Sequence, residues 1–239
     1  MTKLLKLSEN KSALSFKNKS VSKTEITLYG AIGESYFEDS VSANDFHKMM
    51  KEVPDTVTQI DLRINSPGGD VFDGITIYNR LKQHKAKITV YIDGMAASIA
   101  SVIALAGDEV IMGEGSQFMI HNAFTFAMGN ARELEDVVDR LIDIDEQILG
   151  IYARKTKVDR AELRQMVSAT TWLDADESLE KGFATSKIEI GEEQRFAASF
   201  DLNKATWLGS KPSMKSKNDF IKEKINGLSK EIEDYLARK

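Results

Sequence analysis

Two segments near the middle of the sequence alternate apolar and polar residues, and a helical repeat separates them. The segment VTQIDLRI sets Ile60, Leu62 and Ile64 against polar neighbours, and KITVYID repeats the same alternation. A period of two predicts strands with one buried face. Residues 71–81, between the two segments, carry apolar side chains at helical spacing. This strand–helix–strand order predicts an α/β fold.

Further units of the same kind extend the pattern over most of the chain. Residues 42–52 and 130–155 have helical periodicity, and MAASIASVIALAG, which is apolar almost all round, predicts a buried helix after a glycine turn. The segments EVIM, QFMIH and FATSKIEI are predicted to be short strands. We therefore expect an N-terminal strand or arm over residues 1–25, an α/β domain over 26–200 and a separate tail over 201–239.

The composition excludes several classes of chemistry. The 239 residues include no cysteine, which excludes disulfides, thiolate nucleophiles, iron–sulfur clusters and thiolate zinc sites. The net charge of −5 argues against a nucleic-acid partner. No apolar run reaches the roughly 18 residues that span a bilayer, and the polar N-terminus lacks a signal-peptide core. We expect a cytoplasmic protein without a membrane anchor, metal or cofactor.

The C-terminal tail differs from the rest of the chain in charge and pattern. From Lys204 onward it has nine basic and five acidic residues, and GSKPSMKSKND is predicted to be a linker. Apolar residues then follow a heptad-type spacing of 4, 3, 4 and 3, at Ile221, Ile225, Leu228, Ile232 and Tyr235. An amphipathic helix this short needs a partner, which is its own domain, a sister subunit or another protein.

Ser98 is the first candidate for chemistry. In DGMAAS it follows a strand and two small alanines and opens the predicted buried helix. The N–H groups at a helix N-terminus lack helical partners and can stabilise a developing oxyanion. The alternative interpretation is a serine that only caps the helix, which is a common role.

His121 is the candidate base among three histidines. His47 and His84 lie in polar helical stretches and are predicted to face solvent, whereas His121 ends the apolar strand QFMIH. A lone histidine at a strand end is more often structural, so its neighbours must decide its role.

The third element is the loop at Ser66-Pro67-Gly68-Gly69. Paired glycines after a strand allow close approach of a ligand and expose N–H groups, although they also suit a plain tight turn. Each of the three motifs is ambiguous alone, but their order along the chain is specific.

That order closely resembles the ClpP family of self-compartmentalised serine peptidases. INSPGGDVFDGITIYNRL is similar to the family's oxyanion loop and following helix, DGMAASIAS to its nucleophile motif and MIHNA to its histidine motif. GFAT resembles a later family signature, and the similarity covers about residues 26–190. The spelling TTW and the additional tail look more like the branch that matures phage heads (prohead proteases).

The resemblance implies a ClpP/crotonase-like fold of repeated β-β-α units, with the C-terminal amphipathic helix added. It also implies that Ser98 attacks the peptide carbonyl and His121 is its general base. The N–H groups of Gly69 and Ile99 would form the oxyanion hole. The substrate would lie as an extended strand between the Gly69–Val71 segment and the strand that follows His121. The implied substrate contacts are Gly68, Asp70, Val71, Asn122 and Ala123.

The third member of the implied triad departs from the family. The family has an acid two residues before the aromatic of this motif, and that position is Thr170 here because the aromatic is Trp172. Either Thr170 orients the histidine weakly, or Asp174 or Asp176 reaches it, or the site is rearranged or completed by assembly. Asp174 is better explained as a helix cap, because Asp174-x-x-Glu177 resembles a capping box.

Several functions fit the resemblance. The main expectation is a serine endopeptidase that forms a homo-oligomeric ring and acts without ATP. It would mature a phage capsid in the host cytoplasm, and its tail helix would dock on a capsid or scaffold protein. One alternative is a proteolytic subunit that works with a separate ATPase, and another is a weak or inactive structural assembly protein. A crotonase would not need the Ser–His pair, and signal-peptide peptidases use a Ser–Lys dyad and usually a membrane anchor.

Overall fold

The structure is a computed structural model that describes residues 13–34 and 40–188. Within these residues the elements follow in the order β1 (Leu14–Asn18), β2 (Lys23–Tyr29), β3 (Ala31–Ile32), β4 (Ser40–Val41), α1 (Ala43–Glu52), β5 (Gln59–Ser66), α2 (Val71–Lys82), β6 (Lys87–Ala97), α3 (Ile99–Ala104), β7 (Glu109–Met112), β8 (Gln117–Ile120), α4 (Ala131–Lys155), α5 (Arg160–Ala169), β9 (Thr171–Leu173), α6 (Ala175–Lys181) and β10 (Ser186–Lys187). The predicted α/β fold is confirmed. The tail predicted at residues 201–239, with its amphipathic helix, lies outside the described residues.

Local sequence signals explain where the helices begin. The Ser42 side chain accepts a hydrogen bond from the Asp45 N–H at the start of α1. Both α4 and α6 begin with capping boxes, and the second of these is the predicted pair Asp174 and Glu177. The helices predicted at 42–52, 71–81 and 130–155 are confirmed within one or two residues.

The main sheet has eight strands, of which six follow in the order β1-β2-β5-β6-β7-β10. Every pair along this order is parallel except β1 with β2. Strands β1 and β2 belong to this sheet, so the boundary predicted at residue 25 falls inside β2. The central strands are buried, with Ile60, Leu62 and Val90 fully enclosed. Parallel strands covered on both faces carry near-continuous apolar residues, and this explains the strength of their sequence signal.

Strand β6 is the element that places the site, because it pairs with two strands in succession on one side. Its first half, Thr89–Ile92, pairs with β7, and its last three residues pair with β8 in parallel register, from Met95 opposite Gln117 to Ala97 opposite Met119. The ends of β6 and β8 therefore lie side by side. Strand β8 in turn pairs with β9 in antiparallel orientation.

The glycine turn predicted after KITVYID is wrong, because β6 continues through Asp93-Gly94-Met95 to Ala97. The physical reason is close packing: a Cβ on Gly94 would lie 2.6 Å from the side-chain oxygen of Asn65 on β5. Glycine here lets two strands approach rather than letting the chain turn. The buried helix is accordingly shorter than predicted and starts at Ile99, although all six of its residues are buried.

Residues 66–70 pass close to the chain at Ile32. The Ile32 N–H donates to the Gly68 carbonyl over 2.8 Å, and the Asp70 N–H donates to the Ile32 carbonyl over 2.9 Å. Between these bonds Gly69 has a φ of 150°, and an added Cβ would lie 2.0 Å from the Ile32 oxygen. Only glycine fits this position. Within the described residues, no helix is both long and apolar enough to cross a lipid bilayer.

Replacing Gly69 with alanine is expected to destabilise the fold by about 3 kcal/mol or more, since steric overlap adds to backbone strain. Gly115→Ala is the matched control. Gly115 also has a positive φ, of 72°, but no atom lies within 4 Å of the added Cβ. We expect the control to cost about 1 kcal/mol from conformation alone. Urea unfolding of the two variants gives the comparison, and equal losses would contradict this account of Gly69.

Candidate active site

Ser98 lies at the junction between β6 and α3 in an unusual backbone conformation. Its φ of 55° and ψ of −129° are rare for a residue with a side chain, and strain of this kind costs about 1–3 kcal/mol. Its side chain makes no hydrogen bond to the N-terminus of α3. The interpretation of Ser98 as a helix cap is therefore wrong, and the strained turn resembles a nucleophile elbow in its strand-to-helix geometry.

Several hydrogen bonds hold this turn in place. The Ser98 N–H donates to the Met119 carbonyl over 2.9 Å, which extends the pairing of β6 with β8 by one residue. The Ser98 carbonyl accepts bonds from both the N–H and the hydroxyl of Ser101. The Ser101 hydroxyl also contacts the hydroxyl of buried Tyr152 on α4 over 2.7 Å. Burial raises the pKa of Tyr152, so this phenol stays neutral.

His121 is the first residue after β8, and its ring meets Ser98. The distance from His121 Nε2 to Ser98 Oγ is 2.7 Å. The pairing of Ala97 with Met119 explains this contact, because each side chain follows closely after the last paired residues of two adjacent parallel strands. The Phe124 ring packs at 5.7 Å from the His121 ring, centroid to centroid.

Two opposing effects set the protonation of His121. Burial lowers the pKa of His121 below its ordinary value of 6.5, and the negative charge of Asp145 opposes this decrease. A neutral imidazole at neutral pH can accept the proton of a hydroxyl at Nε2. The pair therefore has the geometry and the charge state of a nucleophile beside a general base.

The loop at residues 66–70 packs directly against the serine turn. A Cβ added to Gly68 would lie 2.6 Å from the Ser98 Cβ and 3.2 Å from the Ile99 nitrogen. Ile99 opens α3, so its N–H has no acceptor within the helix. The three predicted motifs thus meet at one place, with the glycine loop packed against the serine turn and the N–H of Ile99 next to Ser98 in the chain.

A cleft of about 430 Å³ lies over the N-terminal half of α4, and Ser98 and His121 are not among the residues that line it. One wall is formed by residues 69–72 and the other by residues 123–127. Of the predicted substrate-binding residues, Asp70, Val71 and Ala123 line it, whereas Gly68 and Asn122 do not. The predicted oxyanion residue Gly69 also lines it. The Asp70 side chain also caps α2.

The strand predicted after His121 is absent, because residues 121–130 form no regular element. Instead, the carboxylate of Asp145 on α4 holds this segment. It accepts a 2.7 Å bond from the Ala123 N–H and a bond from the Asn122 side-chain amide. The Ala123 N–H, a backbone donor with which an added substrate strand could pair, is therefore already engaged.

The candidates for the third triad position lie in different surroundings. Thr171 on β9 pairs with Ile120 on β8, so Thr170 and His121 are the next residues beyond that pair. Among the described residues, however, Thr170 makes no hydrogen bond to the His121 ring. Thr170 is exposed and ends α5 with a left-handed φ of 55°. Asp174 caps α6, and Asp176 forms an ion pair with Lys187 over 2.6 Å, so neither reaches His121.

Asp145 is the residue near the site that sequence reasoning missed. In the sequence it stands within the acidic stretch RLIDIDEQ, beside other carboxylates on the same helix. Nothing in the spacing distinguishes it from the exposed Asp143. Only the packing of α4 against residues 121–123 separates the two.

Comparisons with known proteins agree with this geometry. The family described as Clp protease matches residues 9–190. The chain belongs to the Clp protease family. The ATP-dependent Clp protease proteolytic subunit of Deinococcus radiodurans is 26% identical over 175 residues, which cover 72% of this chain and 84% of that protein. The proteolytic subunit 1 of Protochlamydia amoebophila is 29% identical over 161 residues, covering 65% and 78%.

The Clp protease fold is also found among solved structures. A ClpP1 mutant from Listeria monocytogenes superposes with a TM-score of 0.61 and 24% identity, covering 70% of this chain and 92% of the mutant. The predicted ClpP-like fold is therefore confirmed. Within the described residues, no cluster of three or more histidine, aspartate or glutamate side chains is arranged to hold a metal ion.

Proposed function

We propose that this member of the Clp protease family is a serine endopeptidase with Ser98 as nucleophile and His121 as general base. The observation that carries the proposal is the 2.7 Å contact between His121 Nε2 and Ser98 Oγ at a strained strand-to-helix turn. Ser98 Oγ attacks the peptide carbonyl as His121 Nε2 takes its proton. The histidine then gives that proton to the leaving amine, and water hydrolyses the acyl-enzyme.

Backbone N–H groups are proposed to stabilise the oxyanion. Ile99 has no acceptor within α3, and the Gly68-Gly69 loop packs against the same turn. One such donor contributes about 3–4 kcal/mol to transition-state stabilisation. An extended substrate would then enter the cleft between residues 69–72 and 123–127.

We further propose that the protein forms a homo-oligomeric ring and that α4 makes the contacts between one ring and another, as the family resemblance implies. Leu134, Val138 and Ile142 recur every four residues on this helix and are 39–54% exposed. An exposed apolar stripe on a helix is typical of a surface that another subunit covers. A chamber built this way would restrict cleavage to chains that can enter it.

A covalent label tests the nucleophile. We expect a fluorophosphonate to modify the wild-type protein at Ser98, located by mass spectrometry of the adduct. Ser98→Ala should abolish the adduct and His121→Gln should slow its formation by about a thousand-fold or more. Ser168→Ala, at an exposed serine, is the matched control and should label normally. An unlabelled wild type would favour the alternative of a structural assembly protein on this fold.

We propose that cleavage needs no ATP. The sequence contains no phosphate-binding G-x-x-x-x-G-K motif, so any ATPase would be a separate protein. The second candidate function has its own support, because the similar proteins are named as subunits of an ATP-dependent protease. The two candidates differ in what the purified chain does alone.

Incubation with casein, an unfolded substrate, separates these candidates. The purified protein is expected to cleave casein without ATP or a partner, and Ser98→Ala should remove this activity. A tightly folded protein at the same concentration is the control and should stay intact. Cleavage that depends on an added Clp ATPase and ATP would establish the second candidate instead.

The natural substrate we propose is a capsid or scaffold protein during prohead maturation. Its support is the resemblance of Thr170-Thr171-Trp172 and of the basic tail to the phage branch of the family. The tail helix, which lies outside the described residues, would be the docking element.

Removing residues 211–239 is expected to abolish uptake into assembling capsids, because the amphipathic stripe is lost. Labelling of Ser98 should be unchanged, since Ser98 and His121 both lie outside the removed segment. Quantitative mass spectrometry of purified capsids measures the uptake. Normal uptake and processing by the truncated protein would contradict the docking role.

A further inference from the structure

A carboxylate on α4 is bonded to the two residues that directly follow His121. Asp145 Oδ1 accepts the Ala123 N–H over 2.7 Å, and Oδ2 accepts the side-chain amide of Asn122 over 2.5 Å. The bonded residues are one and two positions after His121, and consecutive Cα atoms are only about 3.8 Å apart. Asp145 therefore fixes the backbone segment that directly follows His121.

The proposed mechanism creates a positive charge at His121 that no residue of the predicted triad offsets. Thr170, which stands where the family has an acid, carries no charge and makes no hydrogen bond to the ring among the described residues. Asp174 and Asp176 are engaged at α6 and Lys187. An imidazolium without a nearby anion is harder to form, and this slows proton transfer.

We infer that Asp145 is the positioning residue for His121, replacing the missing acid by holding residues 122–123 in place and supplying a negative charge. This inference rests on the proposed peptidase function, since it assigns Asp145 a role only through His121. It differs from the family pattern because the charge comes from α4 rather than from the segment at residues 170–172.

Among the groups around the His121 ring, Asp145 is the one that carries a charge in the described residues. In the described chain, the ring contacts are with the Ser98 hydroxyl and the Phe124 ring, both uncharged. The charge of Asp145 raises the pKa of His121 against the effect of burial. Thr170, on the side of α5 and β9, adds no charge.

Helix α4 is well placed for this role because it supports both members of the pair. Tyr152, seven residues after Asp145 and therefore on the same helix face, contacts the Ser101 hydroxyl that donates to the Ser98 carbonyl. Tyr152 is buried and Asp145 is partly buried. One rigid helix thus sets the backbone of the serine turn and the segment after the histidine.

The test compares Asp145→Asn with Asp143→Asn in the full-length protein, using the rate of Ser98 modification by a fluorophosphonate across pH. Asparagine keeps an acceptor for the Ala123 N–H, but it removes the charge and the acceptor for the Asn122 side-chain amide. Asp143 is an exposed carboxylate on the same helix, so its variant matches the change in net charge. We expect Asp145→Asn to lower the rate about ten-fold and Asp143→Asn to leave it unchanged.

The pH profile provides a readout that a purely structural role would not move. The acid limb reports the protonation of His121, because only neutral imidazole accepts the proton. Since Asp145 raises the pKa of His121, Asp145→Asn should move the acid limb to lower pH. Asp145→Glu keeps the charge and should restore much of the rate. If wild-type Ser98 is labelled but the Asp145→Asn and Asp143→Asn variants have the same pH profile of the labelling rate, the inference is overturned.

A second variant keeps the inference testable if Asp145→Asn does not fold. Thr170→Asp places an acid at the family position, where aspartate tolerates the left-handed φ of 55°. In the wild-type background we expect a gain of less than about three-fold, because Asp145 already supplies the charge. An increase of about thirty-fold or more in the rate of Ser98 modification would show that Asp145 does not supply the negative charge to His121, and would overturn the inference. Absence of any label on wild-type Ser98 would instead overturn the proposed peptidase function.

Discussion

The parallel pairing of β6 with β8 is the constraint on which the candidate site depends. Ala97 lies opposite Met119, and the Ser98 N–H continues the pairing with the Met119 carbonyl. Two adjacent parallel strands end at the same edge, so the residues that follow them meet there. A shift of one residue in this register would turn every side chain of β8 to the other face and separate the histidine from the serine.

This pairing also explains why the backbone at Ser98 is strained. The chain must leave β6 and enter α3 within one residue, and the left-handed φ of Ser98 achieves that change of direction. Hydrogen bonds to Met119 and from Ser101 stabilise the conformation, while the small Gly68 allows the neighbouring loop to pack on it. The side chain is thereby left free of the helix cap and directed to His121. Such strain is stored where the surrounding structure determines the conformation.

Much of the fold was predictable because strong local signals coincided with the final packing. Alternating strands such as β5, and helices such as α4 with its capping box, follow from side-chain periodicity and caps that act over a few residues. The extension of β6 through Gly94 was missed because glycine usually signals a turn, and its role here comes from the approach of Asn65 on another strand. The missing strand after His121 has the same kind of cause, since Asp145 on a distant helix holds those donors.

The sequence by itself determined the α/β fold, the resemblance to the ClpP family and the identity of Ser98 and His121 as candidates, because these depend on residue order and short motifs. Only the tertiary structure decided that the Ser98 side chain does not cap α3, that Thr170 makes no hydrogen bond to the ring among the described residues, and that Asp145 is bonded to the two residues after His121. The physical reason is range. Periodicity and capping act within one element, whereas hydrogen bonds and charges act between residues that packing brings together from distant parts of the chain.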